Sequence, residues 1–149
     1  MRIIIGSDHA GFPLKQVVKG YLQELGVEVE DVGVPNEDPV DYPDIAEKVA
    51  VPISQGKFER GILICGTGIG MAISANKVPG VFAAQAHDVY SAERARKSNN
   101  AQVLTMGARV IGPELAKSIT KAWLDSEFAG GGSAPKVAKV SALDQRFRA

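Results

Sequence analysis

A single cysteine, Cys65, stands in 149 residues, and a lone thiol excludes any disulfide framework within the chain. Two histidines beside it leave no cluster at metal-ligand spacing, so neither a metal nor a cofactor is expected. Charge of one sign is missing too, because 17 basic residues balance 17 acidic ones. That balance removes the electrostatic footprint of a nucleic-acid or membrane-surface binder. No apolar run approaches membrane-spanning length, and the N-terminus enters a strand at Arg2 to Ile5, too early for a signal peptide. The expectation is one cytoplasmic domain over residues 1–149, with a small molecule as its partner.

What the chain does have is concentrated at 61–77, GILICGTGIGMAISANK. A short apolar run that stops at glycines and passes into Met71, Ala72 and Ala75 predicts a buried strand, a tight loop and a helix start. Backbone N–H groups and the positive end of the helix dipole make such a turn an anion pocket. Cys65 lies at its mouth, where the same field favours thiolate over thiol. Spacing excludes three other readings of this loop. A P-loop needs lysine and Ser/Thr after its last glycine, but Met71 and Ala72 follow Gly70. A dinucleotide fingerprint from Gly66 and Gly68 needs a third glycine at Met71. A cysteine-phosphatase cradle would carry its arginine at that same position. The bland alternative is that Cys65 is a small core residue, since free cysteine is among the most buried types.

In chain order, RIIIG at 2–6 predicts a first strand, and Leu14, Val17, Val18, Tyr21, Leu22 and Leu25 predict a helix ended by Gly26. A second strand is expected over 27–32, a loop over 33–43, and a second helix on Ile45, Ala46, Val49, Ala50 and Ile53. After the central strand and a helix to about Asn76 come a strand over 81–86 and a helix on Tyr90, Ala92 and Ala95. A fifth strand over 103–106 precedes a helix opened by Pro113, with Leu115, Ile119 and Trp123 as its buried stripe. AGGGSAP at 129–135 reads as a flexible linker, and Val137, Val140, Leu143 and Phe147 predict a last helix over about 136–147, placed to pack on a partner subunit. The pattern is α/β: a Rossmann-like three-layer sandwich with a five-stranded parallel sheet and a C-terminal helix.

Ligands of such sheets bind beyond the carboxyl ends of the strands. Asp8, His9, Cys65 with its loop, His87 and Arg109 all follow a strand there. Singly, each has a dull reading as a cap, a loop histidine or a solvated charge. Together, a thiolate base beside an N–H nest, with cations for an anionic tail, suits proton abstraction next to a carbonyl. A sugar-phosphate binding module and a cysteine-nucleophile hydrolase remain open alternatives.

GSDHAG at 6–11, DYP at 41–43, GILICGTGIGMAISANKVPG at 61–80, YSAERARKSNNA at 90–101 and MGARVIGPELAK at 106–117 resemble the B-type ribose-5-phosphate isomerases and their relatives acting on other sugar phosphates. The resemblance covers nearly the whole chain. It implies a homodimer or homotetramer with active sites shared between subunits, and interconversion of an aldose phosphate with its ketose phosphate, foremost ribose 5-phosphate with ribulose 5-phosphate. Carried over by position, it makes Cys65 the base, Gly66, Gly68, Ile69 and Gly70 with Asn99 the enediolate pocket, and Thr67 a polar partner of the reacting end. Asp8 and Tyr42 become sugar-hydroxyl contacts or ring-opening helpers, and His9 and Arg109 phosphate ligands, the arginine from either subunit.

Two departures stand out. Ser98 occupies the place of the family's ring-opening histidine and is carried over with the catalytic residues, and Gly131, Gly132, Ser133 and Lys136 stand where GGRH and a further arginine are usual, Gly132 and Lys136 being carried over as substrate contacts. Lys136 keeps the charge without the bidentate fork. SNNAQ with this altered loop is similar to relatives acting on four-carbon sugar phosphates, which need no ring opening. A hexose 6-phosphate is a further option within the family. His87 is either a replacement for the missing histidine or a solvent-exposed histidine at a helix start.

Overall fold

The computed structural model describes residues 1–148. Five strands alternate with helices: β1 Arg2–Ser7, α1 Phe12–Glu24, β2 Glu28–Asp31, α2 Tyr42–Ser54, β3 Arg60–Cys65, α3 Ile69–Ala75, β4 Ala83–Gln85, α4 Val89–Lys97, β5 Val103–Gly107 and α5 Pro113–Leu124. A 3-10 turn at Gly131–Ser133 leads into α6, Ala134–Arg146. All strands are parallel, in the order β2-β1-β3-β5-β4.

Alternation along β3 decides the layers. Ile62 and Ile64 point to one face and pack with Leu14, Val18, Leu22, Ala92, Ile119 and Trp123 of α1, α4 and α5. Leu63 and Cys65 point to the other and pack with Ile45, Val49, Ile53, Met71 and Ala75 of α2 and α3. The thiol therefore belongs to the α2–α3 layer. The strand order reverses between β1 and β3, and the crevice at that reversal is where open α/β sheets bind ligands.

Three expectations change. Leu115 is exposed, and α5 buries Ala116, Ile119, Thr120, Trp123 and Leu124 instead, so the buried stripe starts one position later than expected. The expected 129–135 linker is shorter: Gly131–Ser133 already form a turn, and α6 starts at Ala134 with Pro135 in its first turn. The expected strand over 81–86 narrows to Ala83–Gln85.

Helix α6 has no buried residue. It is tied to its own chain by Asp144, which accepts the Gly80 N–H at 2.9 Å, and by Arg148, which donates to the carbonyls of Lys77 and Asn76 at the end of α3. At the opposite side, Lys15 is 1% exposed and donates to Asp31 at 2.9 Å and to the Val34 carbonyl. Burial pushes the Asp31 carboxyl up, but hydrogen bonds from Gly33, Lys15 and Lys19 outweigh it and the net shift is downward. This pair anchors the start of the loop that leads from β2 to Tyr42.

Candidate active site

Strand β3 ends at a buried thiol. Cys65 Sγ accepts the N–H of Gly68 at 3.2 Å, which puts a donor on the atom that must carry charge if this cysteine is a base. Gly68 has φ of 78°, and a Cβ there would lie 2.9 Å from the Met106 backbone, so only glycine fits. Thr105 Oγ1 donates to the Gly68 carbonyl at 2.8 Å and fixes the turn from β5. Thr67 Oγ1 accepts the Ile69 N–H at 3.2 Å. Two donors of the expected anion nest are thus already turned onto the loop's own cysteine and threonine.

The neighbours arrive by close packing. A Cβ on Gly107 would sit 2.6 Å from the Thr67 backbone, so β5 presses directly on the loop. Arg109 lies across Gly66, its guanidinium about where a Cβ would touch it at 3.3 Å, and its N–H donates to the Gly66 carbonyl. Tyr42 covers Gly70, whose missing side chain leaves room for the ring. Asp8 is buried beside the end of β3, donates its N–H to the Ile64 carbonyl and accepts the Gly11 N–H at 2.9 Å through its carboxylate. His9 accepts the Val40 N–H on Nδ1 at 3.2 Å, so a neutral ring carries its proton on Nε2. Asp8, His9, Tyr42, the 65–70 loop and Arg109 therefore share the carboxyl edge of the sheet within one chain.

Ser98 and Asn99 do not join them. They follow α4 and precede β5, so they lie at the amino edge, separated from Cys65 by the five residues of β5, about 15 Å at strand rise. There they line a cavity of about 470 Å³ with Asn76, Phe82, Ala83 and Lys136. Gly132 sits in the exposed turn before α6. The sequence-predicted site is split between two edges.

His87 is half-buried rather than solvent-exposed, and its Nε2 accepts the Gly107 N–H at 2.9 Å. Burial lowers its pKa, with Asp88 opposing, and the ring supports the strand end beneath Thr67 through its unprotonated Nε2. It stands at the edge opposite Ser98. Sequence reading missed two supports: Gln85, which donates to the Thr67 carbonyl at 2.7 Å, and Arg94, which reaches Ser98 one helical turn on. Only the second had a sequence signal, its i, i+4 spacing.

The sequence profile of a family described as "Ribose/Galactose Isomerase" matches residues 3–140. The chain belongs to that family. The isomerase is 60% identical over 142 residues to a D-erythrulose-4-phosphate isomerase of Pectobacterium atrosepticum, covering 94% of this chain and 93% of that one. It is 55% identical over 148 residues to a ribose-5-P isomerase B of Listeria innocua, covering 99% and 100%. Its fold superposes on the ribose-5-phosphate isomerase B of Clostridium thermocellum with a TM-score of 0.96 at 44% identity, over 99% of both chains. No group of three metal-ligating side chains occurs among the described residues, and no helix among them is long and apolar enough to cross a membrane.

Proposed function

We propose that the enzyme interconverts an aldose phosphate and its ketose phosphate, with Cys65 as the base, and that its preferred substrate is a four-carbon sugar 4-phosphate. The observation that carries the reaction is the Gly68 N–H on Cys65 Sγ at the crevice between β1 and β3. The thiolate takes the proton from C2 of the open-chain aldose, giving an enediolate, and returns it to C1. Thr67, whose hydroxyl already accepts the Ile69 N–H, has its O–H free to move a proton between the two oxygens. Asp8 and Tyr42 hold sugar hydroxyls, and Gly66 to Gly70 face the enediolate. His9 and Arg109 bind the phosphate, from Nε2–H and the guanidinium.

Ser98, Asn99, Gly132 and Lys136 complete the site from a second copy of the chain. Their place at the opposite edge from Cys65 supports a dimer or tetramer with shared sites. A serine hydroxyl cannot do the acid–base work of opening a sugar ring near neutral pH, and a tetrose 4-phosphate has no free terminal hydroxyl with which to close a five-membered ring. The 60% identity with the Pectobacterium tetrulose-phosphate enzyme supports the same substrate. Ribose 5-phosphate is the second reading, favoured by the 55% identity with the Listeria protein over its whole length.

Purified enzyme assayed on D-erythrose 4-phosphate and D-ribose 5-phosphate, with Cys65→Ala alongside, tests both parts. Turnover of the tetrose at least tenfold more efficient than of the pentose, reduced at least 10³-fold by Cys65→Ala, is expected, since losing the base removes the proton-transfer contribution. A pentose preference reverses the substrate assignment. Undiminished activity of the alanine variant removes Cys65 from the mechanism.

A further inference from the structure

The turn that carries Ser98 and Asn99 is held by one arginine and touched by another. Arg96 is buried and donates to the Asn100 side chain at 3.2 Å and to the Ala101 carbonyl at 3.0 Å, fixing a turn whose Asn100 has φ of 54°. Arg96 also donates to the Ser126 carbonyl, which accepts a second hydrogen bond from Arg60 at the start of β3. The turn is therefore secured from beneath without help from Arg94.

Arg94 does something different. Its Nε and Nη2 both donate to Ser98 Oγ, at 2.8 and 2.6 Å, while the Ser98 N–H donates back to the Arg94 carbonyl at 2.8 Å. A hydroxyl has two lone pairs and one O–H. With both lone pairs facing a guanidinium, Ser98 has no acceptor capacity left and cannot serve as a base. Its one remaining function is donation, and the adjoining positive charge strengthens that donor. Ser98 lines the cavity that also holds Asn99 and Lys136.

We propose that Arg94 is a positioning residue that locks Ser98 as a one-way hydrogen-bond donor to an oxygen acceptor of the bound sugar phosphate, so that this position recognises an open-chain substrate and performs no acid–base step. The inference rests on the isomerase reading with a site completed by a second copy. Its substrate class is a sugar phosphate presenting a carbonyl, hydroxyl or phosphate oxygen to the amino-edge cavity. The charge reaches the ligand only through the serine, so arginine and serine act as one unit.

The experiment is a double-mutant cycle in the full-length enzyme, with kcat and KM measured on D-erythrose 4-phosphate and D-ribose 5-phosphate and thermal unfolding followed in parallel. Arg94→Leu and Ser98→Ala each lower kcat/KM about tenfold, as expected for one charge-assisted hydrogen bond. The double variant is no worse than either single one, Arg94→Lys recovers part of the loss, and the unfolding midpoint stays unchanged. Losses that multiply to about a hundredfold in the double variant overturn the coupling. An unfolding midpoint lowered by Arg94→Leu with wild-type kinetics overturns it as well, since that marks a helix cap alone. Cys65→Ala separates the two levels of inference: an inactive Cys65→Ala beside a fully active Arg94→Leu removes only Arg94. Activity retained in Cys65→Ala, or no turnover of either sugar by the wild type, removes the isomerase reading and this inference with it.

Discussion

The two edges of the sheet are built to different standards of closure. At the carboxyl edge the glycines and Thr67 of the 65–70 loop are fixed by their own chain: Gly68 against Met106, Gly107 against Thr67, Tyr42 on Gly70 and Arg109 on Gly66. At the amino edge, Ser98, Asn99 and Lys136 surround an open cavity beside a helix with no fully buried residue. The difference matches the division of labour in the proposed reaction. Reacting groups need placement to fractions of an ångström, so they sit where backbone packs on backbone. In the proposed assembly, the groups that meet the rest of the substrate lie where a second copy completes the enclosure.

The hardest blow to this contrast is Gly107→Ala. The added methyl would meet the Thr67 backbone at 2.6 Å, with no flexible side chain to yield. Overpacking of that kind costs about 3 kcal/mol, and the displaced loop is expected to lose about 100-fold in kcat. Wild-type unfolding and turnover in this variant would show that the carboxyl edge is looser than its packing implies.

A smaller effect is expected at the other edge. Val140 and Leu143 are exposed on α6 and Phe147 just past its end, and in the proposed assembly they meet the second copy. Leu143→Asp should leave the unfolding midpoint of the dissociated chain unchanged while weakening self-association about tenfold or more, read by sedimentation at several concentrations. Specific activity should then fall on dilution earlier than in the wild type. Unchanged association would place the interface elsewhere.

The smallest effect concerns His87. Its folded pKa lies below the ordinary 6.5, first because of burial, so the unfolded chain takes up its proton sooner. The contribution of His87 is present above pH of about 6.5 and is lost as pH falls from there through the folded pKa. His87→Gln should flatten the slope of unfolding free energy against pH in that window, measured by denaturant titration. An unchanged slope would mean that the ring titrates freely and does not support Gly107.

The order of elements was legible because β1 and β3 carry continuous Ile/Leu runs, the mark of strands covered on both faces, while α1 and α2 repeat at helical spacing. Leu115 misled because the spacing Leu115, Ile119, Trp123 and the spacing Ala116, Ile119, Trp123 both fit a helix, and only the packing of α5 into the core chooses between them. The carboxyl-edge residues were legible for a topological reason: a parallel strand delivers whatever follows it to the same rim.

Sequence by itself determined the parallel sheet, the glycine turn after Cys65 and the set of polar residues after β1, β3 and β5, because hydrophobic period and glycine placement are local properties of the chain. Only the tertiary structure decided that Ser98 and Asn99 stand across the sheet from Cys65, that His87 supports Gly107, and that Arg94 occupies both lone pairs of Ser98. Those facts depend on the strand order and on which way each side chain turns. Both are set by packing among residues far apart in the chain, and no local pattern records them.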